Sequence, residues 1–277
     1  MLYTQRTFPM EYPLQEADVA LVGIPYDSSQ TQRQAKYGPF FIRQALRDLE
    51  GFDPGTGIDP FGVLKFCDIG DVDIVEGNWE LTSERIMDTV SHMFSVNSNI
   101  LPVFLGGEHL VTLGILMRLK DIFREKITVI HFDAHPDLRT EWKGSKYFHG
   151  SWASHILKDK GFELVQIGTR SFDKEQHELQ KAVRKEITDT ENPVYITIDL
   201  DVLDPSIARD VATPEPHGLT MAELYSHLEK ACRNRVVGFD IVECAARSVD
   251  SNTHIIATHI MKKILGEIWM QRNGTRR

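Results

Sequence analysis

Short apolar runs rich in β-branched and aromatic residues alternate along this chain with segments of helical periodicity. The runs fall at 19–24, 100–105, 127–132, 164–167, 194–198 and 235–239, with a seventh, weaker one at 63–68. Runs that are apolar almost throughout suit strands buried on both faces. Between them the pattern predicts helices at about 38–50, 80–99, 109–125, 150–160, 173–186, 220–233 and 252–269. Strand then helix, repeated, predicts an α/β fold with a parallel sheet and right-handed crossovers. No repeat, low-complexity tract or Pro/Gly/Ser-rich linker divides the chain, so residues 1–277 are expected to form a single domain. In such sheets ligands gather beyond the carboxyl ends of the strands.

The residues following the runs are unusually acidic and rich in histidine. Gly106-Gly107-Glu108-His109 follows one run, and Asp133-Ala-His135-Pro-Asp137 follows the next. Asp199-Leu-Asp201-Val-Leu-Asp204-Pro205 and Asp240-Ile-Val-Glu243 follow two more. Taken alone, the first could be a strand-to-helix turn with a capping Glu, and the third could be turn chemistry. The second is harder to place without a partner. Side chains at i and i+2 of an extended segment share a face, so Asp133, His135 and Asp137 can converge, as can Asp199 and Asp201. Like charges that close cost several kcal/mol per pair at interior dielectrics, roughly, so the cluster must hold protons or cations. Two dications would balance the four aspartates, with His109 and His135 completing the shells. Mixed oxygen and nitrogen donors without thiolates favour Mn²⁺, with Co²⁺, Ni²⁺ or Zn²⁺ as substitutes. His131 lies inside its run and reads as a core histidine or a support behind the ligands.

Composition narrows the alternatives. Lys plus Arg number 31 against 40 Asp plus Glu, a net charge of -9. That argues against nucleic acid or an anionic membrane surface as partner. No apolar stretch is long enough to span a bilayer. The 3 cysteines, Cys67, Cys232 and Cys244, make no disulfide framework and fit a reducing compartment. The N-terminus lacks the charged and apolar regions of a leader, so a cytoplasmic protein is expected.

Together, GGEH at 106–109, DAHPD at 133–137 and DLDVLDP at 199–205 resemble the three metal signatures of the ureohydrolases, the family of arginases and agmatinases. The likeness runs from GIPYD at 23–27 and YGP at 37–39 to Val242-Glu243, and GGEHLV and DAHPDLR look most like bacterial agmatinases. The resemblance implies a three-layer α/β/α fold around a mainly parallel eight-stranded sheet, assembled as a homotrimer or homohexamer. It implies two Mn²⁺ per subunit, one held by His109, Asp133, Asp137 and Asp199, the other by Asp133, His135, Asp199 and Asp201. A hydroxide bridging the ions would attack the guanidinium carbon of a small linear substrate, releasing urea. Asp137 would carry a proton, His149 would serve as proton shuttle, and Glu243 would pair with the guanidinium.

Two segments depart from the family pattern. The usual TGTP loop followed by paired glycines reads VATPEPHGLT at 211–220, with His217 in place of a glycine. The Pro usual after the last glutamate is absent, and Glu243 is followed by Cys-Ala-Ala-Arg247. Agmatine is therefore expected as substrate by a narrow margin. The alternatives are an acidic guanidino or formimino substrate, met by Arg247 or His217, and a metal-retaining relative without turnover. A two-metal phosphatase is disfavoured, because no Arg/Lys-rich clamp stands at the strand ends.

Overall fold

The apolar runs become strands because only a fully covered sheet can bury them. The computed structural model describes residues 11–28, 31 and 33–274. The first ten residues, on which the expectation of no leader partly rests, lie outside that set. Seven strands are formed: β1 (Val19–Ile24), β2 (Phe66–Asp71), β3 (Leu101–Gly106), β4 (Ile127–Phe132), β5 (Phe162–Ile167), β6 (Val194–Asp199) and β7 (Val236–Val242). Their order is β2-β1-β3-β7-β6-β4-β5. Every pairing is parallel. All residues of β1, β3, β4, β6 and β7 are buried. The weakest run, β2, lies at an edge and buries only Phe66.

The helices are α1 (Gly38–Leu46), α2 (Pro60–Val63), α3 (Trp79–Val96), α4 (Val111–Phe123), α5 (Trp152–Leu157), α6 (Lys174–Gln180), α7 (Met221–Ala231) and α8 (Thr253–Arg272). One sheet face packs against Ile42 of α1, Leu224 and Leu228 of α7, and Ile260 and Ile264 of α8. The other packs against Ile86 and Val90 of α3, Ile115 of α4 and Trp152 of α5. The expected three α/β/α layers follow. Each Leu or Ile so buried is worth about 1.5–3 kcal/mol over leaving it in water. Polar side chains fix where helices begin: Asn78 accepts from Leu81 N at 3.0 Å before α3, and Thr220 and Glu223 form a reciprocal box at α7.

One expectation needs adjustment. The eighth strand implied by the resemblance does not form among the described residues; the sheet edges carry only isolated parallel bridges, from Glu11 to Phe66 of β2 and, at β5, the bridge from Arg184 to Val165. Arg184 lies within the segment predicted as a helix to 186. Helix α6 ends at Gln180, and Val183 N turns back onto Gln180 O at 3.0 Å. Arg184, Lys185 and Glu186 offer no apolar positions to extend a ladder. Apart from His149, which opens the 3-10 turn His149–Ser151 before α5, every residue of the candidate site follows one of the four central strands β3, β7, β6 and β4.

Candidate metal centre

The turn after β3 brings His109 to the sheet's carboxyl edge. A Cβ at Gly107 would lie 2.1 Å from Tyr26 O, so the turn admits only glycine. Asp133, His135 and Asp137 follow β4. Asp199 ends β6, and Asp201 sits in the 3-10 turn Leu200–Val202. Glu243 follows β7. The aspartates, His109 and Glu243 are buried, whereas the His135 side chain is 23% exposed.

These side chains form two groups that share one carboxylate. His109 Nδ1 lies 3.0 Å from Asp133 Oδ2, 3.4 Å from Asp137 Oδ2 and 3.5 Å from Asp199 Oδ2. His135 Nδ1 lies 3.0 Å from Asp201 Oδ2 and 3.4 Å from Asp133 Oδ1. Ligand atoms of His109, His131, Asp133 and Asp137 lie within 4.8 Å of one another, as do those of Asp133, His135 and Asp201. Asp199 turns its Oδ2 to the first group and accepts the Asp201 N–H at 2.8 Å through Oδ1. His131 stands behind them: its Nε2 is 2.7 Å from Asp133 Oδ2, and Gln166 Nε2 is 3.1 Å from its Nδ1.

Burial sets the charge balance. Burial and the negative charge of Asp133 push Asp137 up to about 7. Burial and the charges of Asp201 and Asp133 raise Asp199 well above the carboxylate range. Burial likewise raises Glu243, reinforced by Asp199 and Glu108. Burial drives His131 down to about 4. Burial works against a charged His135 ring, yet its hydrogen bonds to Asp133 and Asp201 lift it to about 12. A dication relieves the same repulsion that these protonations relieve. One atom tests the fit: His109 Nδ1 is buried, faces three carboxylate oxygens and makes no hydrogen bond. An imidazole nitrogen set among carboxylate oxygens is the donor set of a hard-to-intermediate cation, so the residues fit a divalent metal.

Above the metal residues lies a cavity of about 720 Å³. His149, Asp137 and Glu243 line it, so the three residues expected to act on substrate meet at one place. Glu243 is fixed by His109 N, which donates to its Oε1 at 2.8 Å. Asp137 and Glu243 carry φ of 52° and 61°, left-handed conformations that cost non-glycine residues energy and cluster at functional sites. Arg247 and His217 do not line the cavity. His217 holds φ 62°, the backbone that the glycine of the family pattern would take at no cost.

Three supporting residues escape a motif reading. Trp152 Nε1 donates to Asp137 Oδ2 at 2.8 Å. Glu108, fully buried, accepts from Ser28 Oγ at 3.0 Å and faces His149 Nδ1 at 3.7 Å. Arg170 ties the strand ends to the departing loop, donating to Asp201 O at 2.7 Å and Glu215 O at 2.8 Å. Only Glu108 left a sequence signal, as the acid within GGEH.

The sequence profile of the arginase family matches residues 17–266. The chain belongs to the arginase family. Among its relatives, the agmatinase of Pyrococcus horikoshii is 32% identical over 286 residues, covering 96% of this chain and 98% of that one. The N(1)-aminopropylagmatine ureohydrolase of Thermococcus kodakarensis is 31% identical over 285 residues, covering 96% of each chain. Among solved structures, the proclavaminate amidino hydrolase of Streptomyces clavuligerus superposes with a TM-score of 0.85 at 25% identity, covering 97% of this chain and 99% of that one. This member of the arginase family is accordingly a hydrolase of carbon–nitrogen bonds in linear amidines, and its His/Asp cluster suits a divalent metal cofactor. No helix among the described residues is long and apolar enough to cross a membrane.

Proposed function

We propose that this enzyme hydrolyses agmatine to putrescine and urea with two Mn²⁺ bound. His109, Asp133, Asp137 and Asp199 would hold one ion, and Asp133, His135, Asp199 and Asp201 the other. The observation that carries the reading is the pair of ligand groups meeting at Asp133, beneath a cavity that also holds Glu243 and His149. When bound, the dications supply a water acidic enough to act as nucleophile at neutral pH.

The protein's own groups do the rest. Glu243, anchored through Oε1, turns its charge toward the guanidinium and orients the carbon for attack by charge-assisted hydrogen bonds. Asp137 takes up the proton lost by the attacking water and delivers it toward the departing nitrogen. His149, on the cavity wall beside Glu108, exchanges that proton with solvent. The amine leaves protonated, and urea follows.

At the cavity mouth, Tyr147 and Phe172 supply aromatic rings for the substrate's ammonium tail, each stacked on one face by His155 or His177. A second reading, an acidic guanidino or formimino substrate, draws support from Arg139 and Lys143, which line the same mouth. Arg139 is already engaged, however, 3.1 Å from Asp173 and stacked 4.8 Å from the Trp142 ring. Agmatine therefore stays ahead. A homotrimer or homohexamer in the cytoplasm is proposed with this function on family membership alone. The test is product release from the Mn²⁺-loaded enzyme on agmatine, arginine, guanidinobutyrate and formimidoylglutamate. Urea from agmatine at the highest kcat/KM is expected. Turnover confined to the acidic substrates would replace agmatine with the second reading, and no turnover on any would leave a metal-retaining relative.

A further inference from the structure

Beneath the metal centre, a polar row crosses strands that are largely apolar. In register across the sheet, Gln166 of β5 pairs with His131 of β4, His131 with Thr197 of β6, and Thr197 with Asp240 of β7. Asp240 and Thr197 are fully buried, so each proton here needs a stated owner. Asp240 receives three hydroxyl groups: Thr197 Oγ1 at 2.5 Å, Tyr195 OH at 2.8 Å and Thr112 Oγ1 at 2.9 Å. Three donors converging on one carboxyl are satisfied by an ionised carboxylate, which only accepts. Thr197 has one proton and gives it to Asp240. Two contacts of Thr197 Oγ1 remain: Thr112 Oγ1 at 3.4 Å, whose proton goes to Asp240, and His109 Nε2 at 2.8 Å, where the ring donates and the threonine oxygen accepts.

We propose that Asp240, acting through Thr197, fixes the proton of His109 on Nε2 and so keeps Nδ1 as a lone pair aimed at the cation. Both are positioning residues, since neither reaches the substrate cavity. The opposite polarity, Thr197 donating to the ring, would put the proton on Nδ1 and remove His109 from the ligand set. No motif contains the pair: Asp240 opens the stretch that ends at Glu243, and Thr197 is only a threonine within the apolar run of β6. The proposal rests on the metal assignment above.

The test is Mn²⁺ affinity measured by chelator competition, site by site, for wild type, Thr197→Val, Thr197→Ser and Asp240→Asn. Unfolding of the metal-free proteins is followed in parallel. Thr197→Val keeps the shape of the side chain but gives Nε2–H no acceptor. It is expected to weaken the ion held by His109 by about 10- to 100-fold, the scale of a lost outer partner, and to leave the ion held by His135 near its wild-type affinity. Thr197→Ser restores the hydroxyl and is expected to bind within about threefold of wild type. Asp240→Asn is expected to weaken the same ion by at least about tenfold. Equal weakening by Ser and Val at position 197, or equal loss of both ions, would mean that packing alone is at stake and would overturn the proposal. Wild-type affinity in Asp240→Asn would remove Asp240 from it. If that variant does not fold, the Val/Ser contrast decides. A wild type that takes up a single ion would refute the two-ion reading, while the contrast on that ion still judges the relay.

Discussion

The floor and the mouth of the cavity are built differently. On the floor, every carboxylate is buried, held by named hydrogen bonds and carried on the ends of four central strands. At the mouth, Trp142 is 48% exposed and Tyr147 39%, and Arg139 meets Asp173 with both side chains a third or more in water. A rigid floor suits atoms that must hold a cation within a few tenths of an ångström. A loop-built mouth can change its contacts without disturbing that geometry. On the proposed function, the floor would carry the chemistry and the mouth the substrate choice, and substitutions in the two regions should differ in kind.

The largest effect expected is on the floor. Stripping the metal by chelation should take turnover to background, and Mn²⁺ should restore it. Excess Mn²⁺ at about a thousandfold over its Kd should also stabilise the fold by roughly 4 kcal/mol, read as a rise in Tm. Activity that survives exhaustive chelation would break the comparison at its root.

Asp199→Ala comes next. Loss of its carboxylate from between the two groups should leave less than one full complement of Mn²⁺ and abolish measurable urea release. Wild-type metal content in that variant would remove Asp199 from the ligand set.

His149 stands at the boundary between the regions. His149→Ala should keep its metal and lower kcat by roughly 100-fold, the scale of a lost acid–base group. Unchanged kcat would exclude it from proton transfer, and lost metal would move it to the floor.

The smallest effect belongs to the mouth. Arg139→Ala breaks a solvent-screened pair worth at most about 1 kcal/mol, so Tm should barely move. KM for agmatine should change only a few-fold with kcat intact. A tenfold loss of kcat/KM, about 1.4 kcal/mol, on an acidic substrate would instead show Arg139 receiving a carboxylate.

The same contrast explains what could be read from the chain alone. The central strands were legible because burial on both faces leaves an unbroken apolar run. The His/Asp cluster was legible because DAHPD and DLDVLDP pack several ionisable groups into a few positions at a strand end. The edge bridge at Arg184 was not, since a single bridge carries no pattern and its flanking charges continue a helical period. Asp240 and Thr197 stood in plain view, but only the register of β4, β6 and β7 reveals that they meet. The mouth was least legible. Arg139–Asp173 and Arg170–Glu215 join residues far apart in sequence, and local spacing says nothing of such contacts.

The central claim is that two cations share Asp133 at the floor of the site. Anomalous diffraction at the manganese edge from Mn²⁺-loaded crystals tests it most directly. Two peaks per chain are predicted, about 3.5–4 Å apart. One should lie against His109 and Asp137, the other against His135 and Asp201, and both should touch Asp133. A single peak, or two peaks that do not share Asp133, would contradict the account.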